Sequence, residues 1–424
     1  MTKSISLGRR IIMGCVFTCI LSQGTLAQTT VTELVGQKES PNFRITDLGE
    51  SVPFGLNKNL DPLLSVLEKK KLLLIGEPTH GAANVYLFKY DLFKELVGLN
   101  RVKCLLIEAN FNSVLKLDDF VSGCTPMDSL ASGLNKMPFM HRTEEFKDLM
   151  LWMRAYNASK EPHEHVHIYG IDVQDVDAGF DFIKKYFSKT DKSYADSLSS
   201  FLPTMTPNKL PEWRHNVYTE AQLEDLQKHL EAVKKKAASK SESQEWQLAT
   251  RVLENIRLCS HMYTHPRDFK RDLYMAENVK WILNLERKDM GFVVSAHNGH
   301  VANDGGLGTY LKEALADEVY TLGVDFGEGQ IMAVSASPDT VRSFKAHDVL
   351  FLEADSISLA HLSDRVRFIQ PVNSKNDVII RSSGATYNQK RSQVYWRTVS
   401  LPGSFDSIVY FDRVYPSTVL PISR

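Results

Sequence analysis

Short apolar runs alternate with amphipathic helical segments along much of this chain. The runs are continuous rather than alternating, and each is too short for a helix. They predict strands that are buried on both faces of a sheet. The five runs are 71–75, 102–107, 165–171, 292–296 and 319–324. Helical spacing of apolar residues lies between them, so the order predicts an α/β fold with a mostly parallel central sheet and flanking helices.

The middle of the chain lacks convincing strands and instead predicts amphipathic helices over 219–240, 244–259 and 267–286. We expect this part to be a helical insertion that forms one side of an active-site cleft. The predicted organisation is a signal peptide at 1–27, an irregular lead-in at 28–57, the first part of the core at 58–175, the helical insertion at 176–287, the second part of the core at 288–340 and a mixed C-terminal segment at 341–424.

The N-terminal residues have the pattern of a secretory signal peptide. Lys3, Arg9 and Arg10 precede the apolar stretch Ile11–Leu21, and small residues follow up to Ala27. The stretch is shorter than the ~20 apolar residues of a stable membrane span. We therefore expect export, to a bacterial periplasm, with no stable membrane span after cleavage. Cleavage would remove three basic residues and two of the five cysteines, and would leave a mildly acidic chain.

Composition narrows the class of protein further. The 424 residues are 43% hydrophobic and 24% charged, which is ordinary for a globular protein and excludes a disordered or collagen-like chain. With a formal net charge of −1, the chain has no excess of positive charge that would attract nucleic acid. Few cysteines argue against a disulfide scaffold, and Cys104 lies in an apolar run that predicts a buried thiol.

Each of the five predicted strands ends at an ionisable residue. These residues are Glu77, Glu108, Asp172, His297 and Asp325. Ligands of parallel α/β sheets bind beyond the carboxyl ends of the strands, so the five positions predict one shared site. For Asp325, capping of a helix or solvation of the sheet edge is the favoured interpretation.

Two short segments carry the most specific chemistry. In Gly76–Gly81, the carboxylate of Glu77 could orient the imidazole of His80 and raise its basicity, as a general base for water requires. The alternative is a turn in which His80 makes only a structural hydrogen bond. In His297-Asn298-Gly299-His300, the histidines could bind a metal, stabilise an oxyanion or act as acid and base.

The absence of other catalytic motifs points to activated water as the nucleophile. The chain has no G-x-S-x-G elbow and no phosphate-binding P-loop. Residues 163–167 match H-E-x-x-H, but that motif binds zinc only on a helix, and here it follows Pro162 and enters a predicted strand. We interpret it as a loop that leads into a strand.

Several separated motifs, taken together, resemble the erythromycin esterase family. They lie at 74–81, 107–109, 169–172, 271–278, 296–301 and 308–311, and the similarity runs from about residue 60 to 335. The resemblance implies an α/β hydrolase with a large helical part beside a cleft, of the type that opens the lactone ring of macrolide antibiotics. Family members often carry an arginine at the position of Lys89.

The resemblance implies roles for individual residues. His80 would act on water as the general base, with Glu77, Glu108 and His297 as further catalytic residues. We expect the substrate to be bound by His300, Asn298, Lys89, Arg271 and Asp172. The predicted reaction is hydrolysis of a small-molecule ester or lactone, with a macrolide lactone as the first expectation, and it needs no cofactor.

Two alternatives stay open. A divalent metal held by Glu77, His80, Glu108 and His297 could run metal-assisted hydrolysis, for example of peptides. An exported protein that binds haem or another ligand in the same cleft is the other alternative.

Overall fold

The computed structural model describes residues 29–30, 42–52, 55–201, 219–237, 243–268, 270–286, 290–335, 344–349, 364–372 and 376–422. The predicted signal peptide lies outside them. The strands are β1 (Thr29–Thr30), β2 (Phe43–Val52), β3 (Gly55–Lys58), β4 (Leu72–Ile75), β5 (Val102–Asn110), β6 (His167–Asp172), β7 (Gly291–Ser295), β8 (Val319–Ser335), β9 (Phe344–Val349), β10 (Arg365–Pro371), β11 (Asn376–Arg381), β12 (Thr386–Tyr387), β13 (Trp396–Leu401) and β14 (Ser407–Val414). The helices are α1 (Asp61–Val66), α2 (Ala83–Gly98), α3 (Phe111–Val121), α4 (Ser129–Asn135), α5 (Glu144–Asn157), α6 (Asp177–Thr190), α7 (Lys192–Phe201), α8 (Glu220–Ala237), α9 (Gln244–Thr264), α10 (Arg271–Leu285), α11 (Asn298–Val301) and α12 (Leu307–Leu315).

One large sheet organises these elements. Its strand order is β3-β2-β10-β14-β8-β4-β7-β5-β6, and β9 and β12 also pair with β8. The strands from β14 to β6 run parallel, whereas β2, β3 and β10 extend the sheet with antiparallel pairs. A separate small sheet joins β1, β11 and β13. The prediction of a mostly parallel α/β sheet is therefore confirmed.

The central strands are buried on both faces, as their continuous apolar runs predict. Leu72 and Leu74 of β4 join one hydrophobic cluster, whereas Leu73 and Ile75 join a second cluster. Successive side chains of a strand point to opposite faces, so the two clusters lie on opposite sides of the sheet. Helices α2 and α5 contribute to the second cluster, and α6 to α10 contribute to the first.

The helical insertion lies between β6 and β7, as predicted, and consists in its described part of α6 to α10. These helices pack on the sheet through the cluster that includes Leu72 and Leu74. No helix in the described ranges combines the length and apolarity that a membrane span requires. The described cysteines are free, and Cys104 is buried as its apolar surroundings predict.

The structure differs from the predicted elements at two places. The stretch expected to be an irregular lead-in forms β2 and β3, because Phe43 and Leu48 are buried although polar residues and Gly49 interrupt their pattern. Strand β8 continues through Asp325 and the glycines after it, where the strand was expected to end. Gly329 has φ +131°, and a Cβ there would lie 2.0 Å from the Val414 carbonyl oxygen, so close strand packing requires this glycine.

Candidate active site

Four of the five strand-end residues meet at one edge of the sheet. Glu77, Glu108, Asp172 and His297 lie at the carboxyl ends of β4, β5, β6 and β7, which are neighbouring parallel strands. Asp325 lies elsewhere, within β8, where its Oδ1 accepts a hydrogen bond from the Arg381 N–H at 3.1 Å. Burial raises the pKa of Asp325 to about 6. The shared-site prediction therefore does not extend to Asp325.

A cavity of about 370 Å³ opens at this edge. Its lining includes His80, Glu108, Asp172, Arg271, Phe139 and Ala385. Its volume is in the range of small-molecule sites. Arg271 begins α10, so the helical insertion contributes one wall, and Ala385 shows that the C-terminal segment contributes another.

The turn after β4 orients the imidazole of His80. Its Nδ1 lies 2.8 Å from Oε1 of Glu77. A carboxylate only accepts hydrogen bonds, so Nδ1 carries the proton and Nε2 keeps its lone pair. Thr79 does not cap α2, because Ala82 precedes that helix and the Thr79 hydroxyl donates to the Gly384 carbonyl at 3.3 Å. The ring is thus in the tautomer that a general base needs.

Glu77 remains ionised although it is buried. The Tyr86 hydroxyl donates to its Oε1 at 2.8 Å, and Lys89 forms an ion pair with its Oε2. Burial by itself raises the pKa of Glu77, but the charge of Lys89 and the hydrogen bond with His80 outweigh it and lower the pKa to about 2. The carboxylate can therefore hold the His80 ring at neutral pH.

Glu108 links three strand ends through one carboxylate. Its Oε2 accepts a hydrogen bond from the backbone N–H of His297 at 2.7 Å, and its Oε1 accepts one from Arg271 Nη2 at 3.0 Å. Arg271 also binds Asp172 with two hydrogen bonds, of 3.0 and 2.6 Å. Burial raises the pKa of Glu108, but His300, His80 and Arg271 hold it well below its usual range.

His300 lies between two carboxylates. Its Nδ1 is 2.7 Å from Asp272 Oδ1, and its Nε2 is 3.3 Å from Glu108 Oε1. Burial and the nearby Arg271, whose Nη1 is 3.0 Å from Nε2, oppose protonation. The two carboxylates outweigh them and raise the pKa of His300 to about 10. His300 is therefore a cation at neutral pH.

The charge of His300 predicts a pH-dependent contribution to stability. Its pKa is raised above the ordinary value of 6.5, so the contribution is complete below pH 6.5 and is lost as the pH rises through about 10. We expect a His300→Gln variant to be less stable than wild type by roughly 3 kcal/mol more at pH 6 than at pH 10.5. Urea unfolding of both proteins across this range measures it, with exposed His163→Asn as the control. A constant difference between wild type and His300→Gln would contradict a charged His300.

His297 is a neutral donor that faces the base. The residue is partly buried with its Nε2 atom inaccessible to solvent, and its Nδ1 accepts a hydrogen bond from the Gly299 N–H at 3.2 Å. A neutral imidazole that accepts at Nδ1 carries its proton on Nε2. Burial and the neighbouring His80 lower the pKa of His297 to about 3. Its Nε2 has no hydrogen-bond partner within the described residues, and its ring centroid lies 5.3 Å from that of His80.

Comparison with known proteins identifies the family. The family model of erythromycin esterase matches residues 101–414. The chain belongs to the erythromycin esterase family. It is 22% identical to the putative hydrolase YbfO of Bacillus subtilis over 86% of this chain and 88% of that protein. It is 21% identical to erythromycin esterase type II of Escherichia coli over 73% of this chain and 83% of that protein.

Solved structures show that the fold is shared as well. A protein from Bacillus cereus superimposes with a TM-score of 0.73 and 21% identity, over 89% of this chain and 97% of that one. A mutant of the erythromycin esterase EreC in its open conformation superimposes with a TM-score of 0.64 and 14% identity, over 90% of this chain and 100% of that one. Family membership thus indicates a hydrolase with a small-molecule substrate.

Three of the five expected substrate-binding residues are not among the residues that line the cavity: His300, which lies between Asp272 and Glu108, Lys89 and Asn298. Lys89 is buried against Glu77, which leaves it no contact with a ligand in the cavity. The Asn298 side-chain amide forms two hydrogen bonds with the backbone of β8. Its Nδ2 donates to the Val324 carbonyl at 2.7 Å, and its Oδ1 accepts from the Val324 N–H at 3.1 Å. Arg271 and Asp172 do line the cavity. The resemblance therefore located Lys89 and Asn298 near the site but could not show their contacts.

Three residues that sequence analysis missed complete the site. Tyr86 contacts Glu77, but its position in the apolar face of α2 gave no signal of this. Asp272 follows Arg271 in one of the family motifs, and that motif could have indicated it. Gly384 contacts the turn of His80 from the far C-terminal segment, and no local pattern indicates it.

The surroundings of the predicted metal ligands show how well they suit a divalent ion. One ligand atom each from Glu77, His80 and Glu108 lies within 4.8 Å of the others, which would suit a divalent ion. However, Lys89 already neutralises Glu77, and Arg271 and His300 already neutralise Glu108. A bound cation would have to displace these partners or leave positive charges close together, so the donor set fits a metal poorly.

Proposed function

We propose that the protein hydrolyses an ester or lactone by general-base activation of water. The observation that carries the proposal is the pair of facing imidazoles with opposite roles. His80 offers an acceptor at Nε2, and His297 offers a donor at Nε2. A base and an oxyanion donor on either side of one gap are what the attack of water on a carbonyl requires.

The reaction follows from these two groups. His80 Nε2 takes a proton from water while the water oxygen attacks the carbonyl carbon. Glu77 stabilises the imidazolium that forms. The His297 Nε2–H donates to the oxygen that becomes negative. The tetrahedral intermediate collapses, the C–O bond breaks, and His80 returns the proton to the leaving alkoxide to yield an acid and an alcohol.

A macrolide lactone is the substrate that we propose first. The support is family membership and the printed name of the relative from Escherichia coli. We propose in addition that the enzyme is exported and acts in a periplasm, on the basis of the N-terminal pattern around Lys3, Arg9 and Arg10.

The test uses purified protein that begins after residue 27. It is incubated with a panel of macrolides and with p-nitrophenyl acetate, and the macrolide products are analysed by mass spectrometry. Gain of the mass of one water by a macrolide supports lactone opening. Turnover of p-nitrophenyl acetate alone supports an esterase with another natural substrate. Turnover of neither, by a folded protein, contradicts the proposed function.

A metal-assisted mechanism is the second candidate, because Glu77, His80 and Glu108 lie close enough to share an ion. We propose that the reaction needs no metal, since cations of the protein already compensate both carboxylates. The same assay after dialysis against a chelator, together with elemental analysis, separates the candidates. Activity that is lost with the metal and regained with a divalent ion would establish the second candidate.

The donor role of His297 predicts a specific loss of turnover. His297→Phe removes the Nε2–H, and we expect kcat for p-nitrophenyl acetate to fall about 10²-fold while KM changes little, because the bond forms chiefly in the transition state. His297→Gln can place an amide N–H in the same position and should recover part of the rate. Equal kcat in wild type and the Phe variant would show that His297 is not the donor.

A further inference from the structure

A turn of the C-terminal segment covers the catalytic turn. The Ser383 N–H donates to the Pro78 carbonyl at 2.7 Å, and the His80 N–H donates to the Gly384 carbonyl at 3.2 Å. On the other side, the Val334 N–H donates to the Ala385 carbonyl at 2.9 Å. Backbone hydrogen bonds therefore hold Gly384 at a defined position against His80.

Gly384 faces the gap between the two imidazoles. A Cβ built on it would lie 4.0 Å from His80 Nε2 and 4.0 Å from His297 Nε2. Apart from its chain neighbours, no other heavy atom of the described residues lies within 4 Å of that position. A side chain at position 384 would thus come into van der Waals contact with both the acceptor and the donor.

Backbone conformation alone would also select glycine here, since Gly384 has φ +57°. However, the requirement of the backbone for glycine is independent of the contacts that a side chain at this position would make. At Gly384 a methyl group would contact both reacting nitrogen atoms, whereas at most surface turns it would point into solvent. The two explanations therefore predict different results for substitutions.

We propose that this site requires glycine at position 384, because a side chain there would lie against Nε2 of both His80 and His297 and would obstruct a ligand that reaches these two atoms. The inference rests on the proposed function, and it extends the site to the C-terminal segment. In the proposed reaction water must reach His80 Nε2 while a carbonyl oxygen reaches His297 Nε2, and the carbonyl needs more room as it becomes tetrahedral. A side chain at this position would occupy that room.

A matched pair of variants separates occupation of the gap from backbone strain. Gly384→Ala adds a methyl group between the rings. Gly123→Ala adds one at φ +78°, where no described atom lies within 4 Å of the new Cβ. We expect similar decreases in Tm for both, but a decrease in kcat/KM for p-nitrophenyl acetate of at least ~20-fold only for Gly384→Ala. Gly384→Asn is the second variant, because asparagine tolerates positive φ and also fills the gap.

A second measurement does not depend on hydrolysis. Diethyl pyrocarbonate modifies unprotonated imidazole nitrogen, and peptide mapping by mass spectrometry gives the rate at His80, with exposed His163 as the internal reference. We expect both Gly384 variants to slow modification of His80 at least ~5-fold, and Gly123→Ala to leave it unchanged. His80→Asn shows that the modified peptide is assigned correctly.

The outcomes distinguish the two proposals. Slower modification of His80 in the Gly384 variants, with no ester hydrolysis even by wild type, would support the open gap but contradict the proposed function. Wild-type hydrolysis and wild-type modification in Gly384→Ala or Gly384→Asn would overturn the role of Gly384. Equal loss of activity in Gly384→Ala and Gly123→Ala would overturn it too, since backbone strain would then explain the effect.

Discussion

His80→Asn is expected to lower the rate of ester hydrolysis by about 10³–10⁴-fold while the protein stays folded. The imidazole Nε2 is the acceptor that faces the gap, and asparagine has no group that can take a proton from water. The asparagine amide can still donate to Glu77 in place of the Nδ1–H, so the buried carboxylate keeps a partner. The measurement is kcat/KM for p-nitrophenyl acetate over a range of pH.

The control for this variant is His163→Asn. His163 is exposed and belongs to the 163–167 stretch, which runs from a short 3₁₀ turn (Pro162–Glu164) to the first residue of β6 and contains no α-helix. We expect wild-type activity from this control. A His80→Asn enzyme with more than about a tenth of wild-type activity, and an unchanged Tm, would remove His80 from the role of base.

Lys89→Met is expected to lower both stability and activity. Lys89 is buried beside Glu77, and removing one partner of a buried ion pair typically costs about 3–5 kcal/mol in the free energy of unfolding, because the other charge stays uncompensated. The charge of Lys89 also helps to hold the pKa of Glu77 near 2, so the pKa should rise in the variant. Glu77 then orients His80 less well, and kcat should fall.

The pH dependence of stability tests this explanation. In wild type the pKa of Glu77 is lowered from 4.5 to about 2, so its contribution to stability is present above pH 4.5 and is lost as the pH falls through 2. In Lys89→Met the buried carboxylate lacks its counter-charge, so the deficit relative to wild type should grow as the pH rises from 3 to 7. Urea unfolding at these pH values provides the measurement.

Two further variants complete the experiment. Lys94 lies on the same helix in a partly exposed pair with Asp91 at 3.7 Å, so Lys94→Met should cost less than about 1 kcal/mol. The double variant Glu77→Gln/Lys89→Met removes both buried charges and should recover most of the stability but not the activity. Wild-type stability in Lys89→Met would contradict a structural role for the pair.

Much of the fold could be predicted because burial determines which positions of a strand or helix are apolar. Continuous apolar runs such as Leu72–Ile75 identified five of the parallel strands, and helical spacing predicted helices over 219–240, 244–259 and 267–286, where the structure has α8, α9 and α10. The antiparallel strand β2 was missed, because among its residues with described burial (43–50) only Phe43 and Leu48 are buried. The length of β8 was missed because Gly327 and Gly329 have the pattern of a turn.

The candidate site could be predicted in part for a similar reason. Strand ends converge in a parallel sheet, so the positions of Glu77, Glu108, Asp172 and His297 followed from the chain. The ion-pair partners of these residues could not be predicted, because they depend on distances between side chains of separate strands and helices. Lys89 had no sequence feature that distinguishes a ligand-binding cation from one that is buried beside Glu77.

The sequence by itself determined the order of the five central strands and of the helices between them, the edge at which the polar strand ends meet, and the family, since these depend on local hydrophobic pattern and short motifs. Only the tertiary structure decided the tautomers of His80 and His297, the charge of His300 and the contact of Gly384 with the site. The physical reason is that a proton's position depends on the partners of each ring. Those partners come from segments as far apart in the chain as residues 77 and 384, and only the folded structure places these segments side by side.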